Sequence, residues 1–419
     1  MKVFRAGFFD SSLPNSAFRL NPSSSPRVPL AVPYWNGETY RAILRSLLSG
    51  AIVEGPDVQR LQSSLMATLG VEDAVLCGSG SLALEIALRA CGVGQGDEVI
   101  IPTFCCTTVV PPVLAAGALP VLADVGDDLN ITAGTVEAAL TKKTKAVIVP
   151  HLFGNPADIG EIIDLTCGRN IRVIDDAAQA LGATIDGRPV GSFGHAGILS
   201  FGSEKVCSGL GGGVVVFRDK EIFKRGVNID RPRALLFSTL RNLMSTVVSR
   251  RLRRWTLPLL SRPKTAGPDE PPAPYRKEAM ANIDAAVAVS LMQTLRENIT
   301  ARRERVAAYQ ELLGNEERLK LIPHRPGSAC LTQVVRVLPS RRDEDSASEI
   351  IQALDRAGFE VQGSYVPIHL LPNYRKCVWD RLGYAERIWA DLIELPCEPD
   401  VSFAYVERIA AVLKQVLSR

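Results

Sequence analysis

The chain has 419 residues, 46% hydrophobic and 22% charged, with 48 Lys plus Arg against 45 Asp plus Glu and a formal charge of +3. At roughly 150 residues per domain this length gives two or three domains sharing a large core, and the composition excludes a disordered chain, a collagen-like fibre and a small disulfide scaffold. The small net charge gives no global reason to expect nucleic-acid binding, and nine cysteines without a CxxC pair, beside only four histidines, lack zinc-type ligand spacing and read as reduced cytosolic thiols.

Residues 1–30 read as a turn-rich, flexible N-terminal arm with no apolar core of signal-peptide length. No run of 18 apolar residues occurs, so the expectation is a soluble, cytoplasmic protein. In the next segment, 31–225, β-type runs at 74–77, 98–101, 120–123, 146–149, 172–174, 198–201 and 214–217 alternate with helical patterns at 82–90, 135–140 and 159–167. That alternation predicts an α/β large domain with a mostly parallel sheet covered on both faces, whose ligands bind at the carboxyl ends of the strands.

Residues 226–275 break the pattern and end in a Pro-rich linker (Pro263, Pro268, Pro271, Pro272, Pro274). Within them Leu236, Phe237, Leu240, Leu243, Met244, Val247 and Val248 recur at helical spacing, with Leu252 and Trp255 continuing the stripe. The stretch 231–264 carries nine Lys or Arg and no acid. Such a basic amphipathic helix suits an anionic membrane surface or an acidic partner, or packs on its own subunit or across a dimer. From 276 to 419 the sequence predicts a long helix over 283–313, then a smaller α+β domain with β-type runs at 333–338 and 359–361 and helices at 346–357 and 405–416.

Three strand ends carry candidate chemistry. The turn Cys77-Gly78-Ser79-Gly80-Ser81 precedes a helix, so backbone N–H groups and the helix dipole favour an anion such as phosphate. Gly78, Gly80 and Ala83 also fit a dinucleotide GxGxxA pattern, but Asp97 and Glu98 begin the next strand instead of ending it, so the expected ribose-binding acid is missing. Asp175 and Asp176 end an apolar run, where a carboxylate can hold a cationic ring nitrogen. Lys205 follows another such run within the small-residue loop Ser200-Phe201-Gly202-Ser203-Glu204-Lys205, and burial there would make its amine a usable nucleophile. Singly, a bare turn, a helix-capping Asp and a surface Lys are the plain alternatives. Together the three are the set that pyridoxal 5′-phosphate requires: a phosphate cradle, an acid for the ring nitrogen and a Schiff-base lysine.

The strings GPDVQRLQSSL, CGSGSLALEIALRACGVGQGDEVIIPTF, PVLADV, KAVIVPHLFGNPADI, VIDDAAQALGA, SFGSEKVCSGLGGGVVV, MANIDAAVA with ARRERVAAY, VPIHLLPNY and AERIWADLIELPCEP occur in this order from about Val32 onward. On them the chain resembles the DegT/StrS family of pyridoxal-phosphate nucleotide-sugar aminotransferases, which have the fold type I architecture and act as homodimers. The resemblance makes Lys205 the Schiff-base lysine and Asp176, rather than Asp175, the partner of the pyridine nitrogen. It places Gln179 against the cofactor, Gly80, Ser81 and Ser200 at the phosphate, and His369 near the sugar-binding cleft, with no metal. It implies amino transfer, usually from glutamate, to a keto group of a nucleotide-linked sugar. Relatives that dehydrate sugars carry histidine at the lysine position, so Lys205 argues against that chemistry; a non-catalytic or regulatory relative is the other alternative.

Two departures stand out. The aromatic ring that the family stacks on the cofactor is here Cys106, two residues after Phe104, and either residue could serve. The family's GYNYRM segment, which crosses the dimer, becomes Ala273-Pro274-Tyr275-Arg276-Lys277-Glu278-Ala279-Met280, leaving Arg276 or Lys277 as the candidate phosphate contact from the partner subunit.

Overall fold

Alternating side chains of short apolar runs decide the architecture. In β2 (Glu98–Pro102), β4 (Thr144–Pro150) and β5 (Arg172–Asp176), Ile101, Ile148 and Ile174 join one buried cluster, while their neighbours Ile100, Val147 and Val173 join another on the opposite face. A strand buried on both faces has no solvent side, which is why these runs are continuously apolar. With β1 (Asp73–Cys77), β3 (Leu119–Ala123), β8 (Ala196–Ser200) and β9 (Gly213–Phe217) they form a seven-stranded sheet in the order β1-β9-β8-β5-β4-β2-β3. The block β8-β5-β4-β2-β3 is parallel, and β9 runs antiparallel between β8 and β1. A two-stranded hairpin, β6 (Thr184–Ile185) and β7 (Arg188–Pro189), lies between β5 and β8 in the chain. This computed structural model describes residues 34–219, 222, 229–231, 275–338, 346–380 and 382–418. The N-terminal arm and the 231–264 amphipathic helix expected from the sequence lie outside the described residues, apart from Arg231.

Helices cover both faces. The first is α1 (Gly37–Leu48), capped by Asn36, whose Oδ1 accepts the N–H groups of Glu38 and Thr39; α2 (Asp57–Leu69) stops at Gly70, where φ is +64°. The others of the large domain are α3 (Gly80–Ala90), α4 (Val110–Ala115), α5 (Ala133–Ala139) and α6 (Ile159–Thr166). The long helix expected over 283–313 is two: α7 (Asn282–Gln293) and α8 (Leu295–Leu313), broken at Thr294. There φ is −107° and ψ is 10°, and the Thr294 hydroxyl donates to Leu291 O at 3.4 Å, a local bond that competes with the helix ladder. Helix α7 packs against α1 and α2, so the segment after the Pro-rich linker first completes the large domain.

The small domain is an antiparallel sheet in the order β10-β11-β13-β12, formed by β10 (Leu319–Leu321), β11 (Thr332–Val337), β12 (Gln362–Gly363) and β13 (Leu392–Pro396). Helices α9 (Ser346–Arg356) and α11 (Phe403–Leu417) pack with it, while α10 (Gly383–Ile388) starts on Asp124 of the large domain, whose carboxylate accepts Tyr384 N–H (2.7 Å) and Ala385 N–H (3.0 Å). The β-type run expected at 359–361 pairs later, at 362–363, and Phe359 and Val361 are buried in the small-domain core. Along β13, Ile393 and Leu395 face that core, whereas Leu392 belongs to the large-domain cluster. Glu394 therefore sits on the side of the sheet turned toward the large domain.

Glu394 is 7% exposed and is held by neutral donors, Gln362 Nε2 at 3.2 Å and Ser364 Oγ at 3.1 Å. Burial pushes its carboxyl up to about 7, with Glu204 adding to the rise against the two hydrogen bonds. A group whose pKa rises on folding favours the folded state below its unfolded value and loses that contribution as pH climbs through the folded one. Glu394→Gln is expected to flatten the fall in stability between about pH 4.5 and 7 and to stabilise the protein at pH 8 by up to about 3 kcal/mol. Thermal unfolding across that pH range, with variant and wild type compared at each pH, is the check; parallel curves would remove the assignment.

Candidate active site

At the end of β1 the chain turns through Gly78 and Ser79 into α3. Ser79 Oγ accepts Leu82 N–H (3.1 Å) as the N-cap and donates to Arg276 O (2.9 Å), fixing the turn against the segment 276–279. Gly78 donates its N–H to Glu278 O at 2.7 Å, and a Cβ on Gly78 would stand 2.9 Å from that same oxygen, so no larger residue fits without displacing backbone. A Cβ on Gly80 would lie 3.2 Å from both Cβ and Oγ of Ser200, which brings the start of α3 directly against the end of β8. Gly80, Ser81 and Ser200 thus share one corner. Both hydroxyls there make only long bonds, Ser81 Oγ to Thr108 O at 3.4 Å and Gly202 N–H to Ser200 Oγ at 3.4 Å, so each can re-aim at an anion over the positive helix end.

Arg276 borders this corner but spends its guanidinium on its own chain, pairing with Glu278 (3.1 Å) and Asp284 (3.0 Å). Lys277 Nζ lies 3.4 Å from Glu85, which also accepts the Tyr275 hydroxyl at 2.6 Å. The segment read as a cross-dimer phosphate contact is thereby tied down within its own subunit.

The two carboxylates ending β5 point to opposite faces and do different work. Asp175 is fully buried: its Oδ1 takes a hydrogen bond from His151 Nε2 (2.7 Å) and its Oδ2 one from Phe193 N–H (2.8 Å). His151 Nδ1 accepts Ala157 N–H (2.9 Å), so the proton resides on Nε2 and faces Asp175. Asp176 is 6% exposed; its Oδ1 accepts Ala178 N–H (3.0 Å), and its second oxygen has no hydrogen-bond partner among the described residues. Burial raises its pKa, opposed by the Ala178 N–H and by the charge of Lys205.

Lys205 lies half-buried in the turn after β8. Ser208 Oγ donates to Lys205 O (2.6 Å) and accepts Lys205 N–H (3.3 Å), while Asn298 of α8 holds Val206 O (3.0 Å) and Trp35 holds Ser208 O (2.8 Å). The loop is braced at its backbone, and the lysine side chain acts electrostatically on Asp176.

Gln179 is clamped at both ends: Oε1 accepts Phe153 N–H (2.9 Å), and Nε2 donates to the Tyr365 hydroxyl (3.0 Å). Phe153 holds a left-handed backbone (φ 57°, ψ 21°) and stacks on Tyr365, with centroids 5.7 Å apart. Phe104 is completely buried against both rings, 6.4 Å from Phe153 and 5.9 Å from Tyr365. Of the two candidate ring-packing residues it is Cys106 that keeps partial exposure, its Sγ 3.1 Å from Thr108 Oγ1. His369 has both ring nitrogens committed, Nδ1 to Thr103 Oγ1 (2.6 Å) and Nε2 to Glu386 (2.8 Å), and burial lowers its pKa despite Glu386; here it is a brace between the domains. The sequence reading missed Tyr365, His151 and Glu394. Tyr365 immediately precedes the VPIHLLPNY string, and His151 is a polar residue closing the apolar run of β4.

A glycine-lined anion corner, a buried carboxylate lacking a partner for one oxygen and a half-buried lysine within its electrostatic reach fit pyridoxal 5′-phosphate by charge at each end.

Among curated proteins, GDP-perosamine synthase of Caulobacter vibrioides is 29% identical over 402 residues, covering 94% of this chain and all of that protein. A UDP-N-acetyl-3-dehydro-α-D-glucosamine 3-aminotransferase of Acidithiobacillus ferrooxidans is 42% identical over 190 residues, 45% of this chain and 52% of its own. Among solved structures, DesV of S. venezuelae in complex with a ketimine intermediate superposes with a TM-score of 0.74 at 27% identity, covering 94% of this chain and all of that one. An aminotransferase from Psychrobacter cryohalolentis superposes at 0.76 and 23% identity over 94% and 99% of the two chains, which speaks to the fold. The family profile matches residues 34–414, nearly the whole of the described chain. The protein belongs to the DegT/DnrJ/EryC1/StrS aminotransferase family, and its cofactor is pyridoxal 5′-phosphate.

Proposed function

We propose that the protein moves an amino group, from glutamate, to the keto group of a nucleotide-linked sugar. The observation that carries this reading is the buried Asp176 carboxylate, with one oxygen unpartnered among the described residues, beside the charge of Lys205. Support for the substrate class comes from the relatives, two of which are named for nucleotide-sugar chemistry.

In this reading Gly80, Ser81 and Ser200 bind the cofactor phosphate, Cys106 packs on a ring face, and Gln179 orients the ring edge. Asp176 keeps a proton on the ring nitrogen. When bound, the cofactor supplies a cationic ring that delocalises negative charge from the carbon that loses its proton. Lys205 Nζ would be the amine that holds the cofactor, and, once free, the base that takes the proton from the donor α-carbon. The donor would leave as its 2-oxo acid, a water supplying the new carbonyl oxygen while the amino nitrogen stays behind for the acceptor. In the second half Lys205 moves the proton in the opposite direction, and the acceptor's keto oxygen leaves as water.

The same reading makes the protein a cytoplasmic homodimer, with the basic stretch 231–264 available for peripheral contact with an anionic membrane. Among the described residues no helix is long and apolar enough to cross a membrane. Deleting 231–264 is expected to abolish flotation with anionic vesicles; unchanged flotation, or none by the intact chain, removes the membrane contact.

Lys205→Ala is expected to lower amino transfer about a thousandfold or more and to leave no cofactor fixed to the chain by borohydride, read by mass spectrometry. Asp176→Asn separates two effects. It is expected to raise the melting temperature of the cofactor-free protein at neutral pH, because a poorly compensated buried charge disappears, while weakening cofactor binding and amino transfer. Incubation with glutamate and a panel of nucleotide ketosugars, followed by mass spectrometry, tests the substrate class; exchange of label between glutamate and 2-oxoglutarate without any aminated sugar would remove the sugar and keep the transaminase.

A further inference from the structure

Tyr365 is a small-domain residue on the connection after β12, yet its contacts are with the large domain: its ring stacks on Phe153 and meets Phe104 edge-on. Gln179 Nε2 donates to its hydroxyl, and among the described residues Gln179 is the hydrogen-bond partner of that hydroxyl. The donation occupies a lone pair, and among the described residues no acceptor takes the phenol's own hydrogen. A donor in that position is available to an incoming acceptor. The amide of Gln179 cannot turn over to relieve this, because its Oε1 is required by Phe153 N–H.

We propose that Tyr365 is a positioning residue of the cofactor site, contributed by the small domain, that locks the amide of Gln179 and turns its own hydroxyl hydrogen to the ring oxygen of pyridoxal phosphate. The inference rests on the placement of Gln179 at the cofactor. Burial raises the pKa of Tyr365, so the hydroxyl stays a donor throughout the neutral range. A donor on the ring oxygen draws negative charge away from the neighbouring protonated nitrogen of the lysine linkage, which eases loss of that proton.

Tyr365→Phe keeps the stacked ring and removes only the hydroxyl. The expected result is a roughly fivefold weaker dissociation constant for pyridoxal phosphate, measured on cofactor-free protein by equilibrium dialysis, with an upward move of the pH at which the bound cofactor's visible absorbance changes. In a Gln179→Leu background the same substitution is expected to have a smaller effect, since the two groups act as one unit. An unchanged constant and absorbance midpoint, or an equal effect with and without Gln179, would overturn the proposal while leaving the aminotransferase reading in place. Wild-type protein that fails to bind pyridoxal phosphate would overturn both.

Discussion

The site depends on a largely buried carboxylate, one of whose oxygens has no hydrogen-bond partner among the described residues. Burying an ion costs several kcal/mol even after relaxation, and Asp176 recovers only part of that from Ala178 N–H and from the charge of Lys205. The sheet imposes the burial. Strand β5 is flanked on both sides by parallel neighbours, Asp176 pairing with Pro150 of β4 and Ile198 of β8, so its last residue cannot swing toward solvent. A cation brought beside its second oxygen would offset that cost, and a ligand that binds only the folded chain stabilises it.

The adjacent residue shows how narrow the distinction is. Asp175 has the same side chain and the same strand, but the strand's twofold alternation turns it to the other face, where His151 Nε2–H and Phe193 N–H satisfy both oxygens. It is a completed structural polar unit; Asp176 is an incomplete one. His151 also donates its backbone N–H to Asp176 O at 3.1 Å, so a single residue braces the backbone of one aspartate and the side chain of the other. The strap from Arg325 to Leu331 fixes the far side of this unit: Leu331 N–H donates to Phe153 O (2.9 Å), Ala329 N–H to Gly154 O (2.9 Å), and Arg325 bridges Asp128 and Asp158. A Cβ on Gly154, where φ is +78°, would lie 2.7 Å from Leu331 N. The left-handed bend at Phe153 and Gly154 is what lets the strap approach and aims the Phe153 N–H at Gln179.

How much of this was legible follows from the range of the interactions involved. The seven strands of the large sheet were readable because each buries both faces and so writes a continuous apolar run, and Lys205, Asp176 and the Gly78–Ser81 turn drew notice because each sits at the end of such a run. The break at Thr294 was not, since its neighbours continue the helical pattern without Gly or Pro. Strand β13 was hidden by Glu394, an acid where an apolar residue would mark a two-faced strand; its burial becomes apparent only when Gln362 and Ser364 are brought beside it. Tyr365 is the clearest case. It meets Gln179 across 186 positions of sequence, and no local pattern announces a phenol paired with a distant amide. His369 shows the converse: a residue matching a known string can spend both nitrogens on Thr103 and Glu386.

The insertion also has a definite anchorage, fixed by the residues on either side of it. Asp230 bridges Glu278, with Ala279 N–H donating to Asp230 O at 2.9 Å, while Cys77 bridges Ala279 and Gly78 donates to Glu278 O. The chain therefore departs from and returns to the edge of β1, immediately beside the anion corner. What the pinning does require is that 276–279 stay extended along β1. The pairing of Arg276 with Glu278 and Asp284 secures that segment, which makes these ion pairs part of the support for the Gly78–Ser81 turn rather than an incidental surface feature.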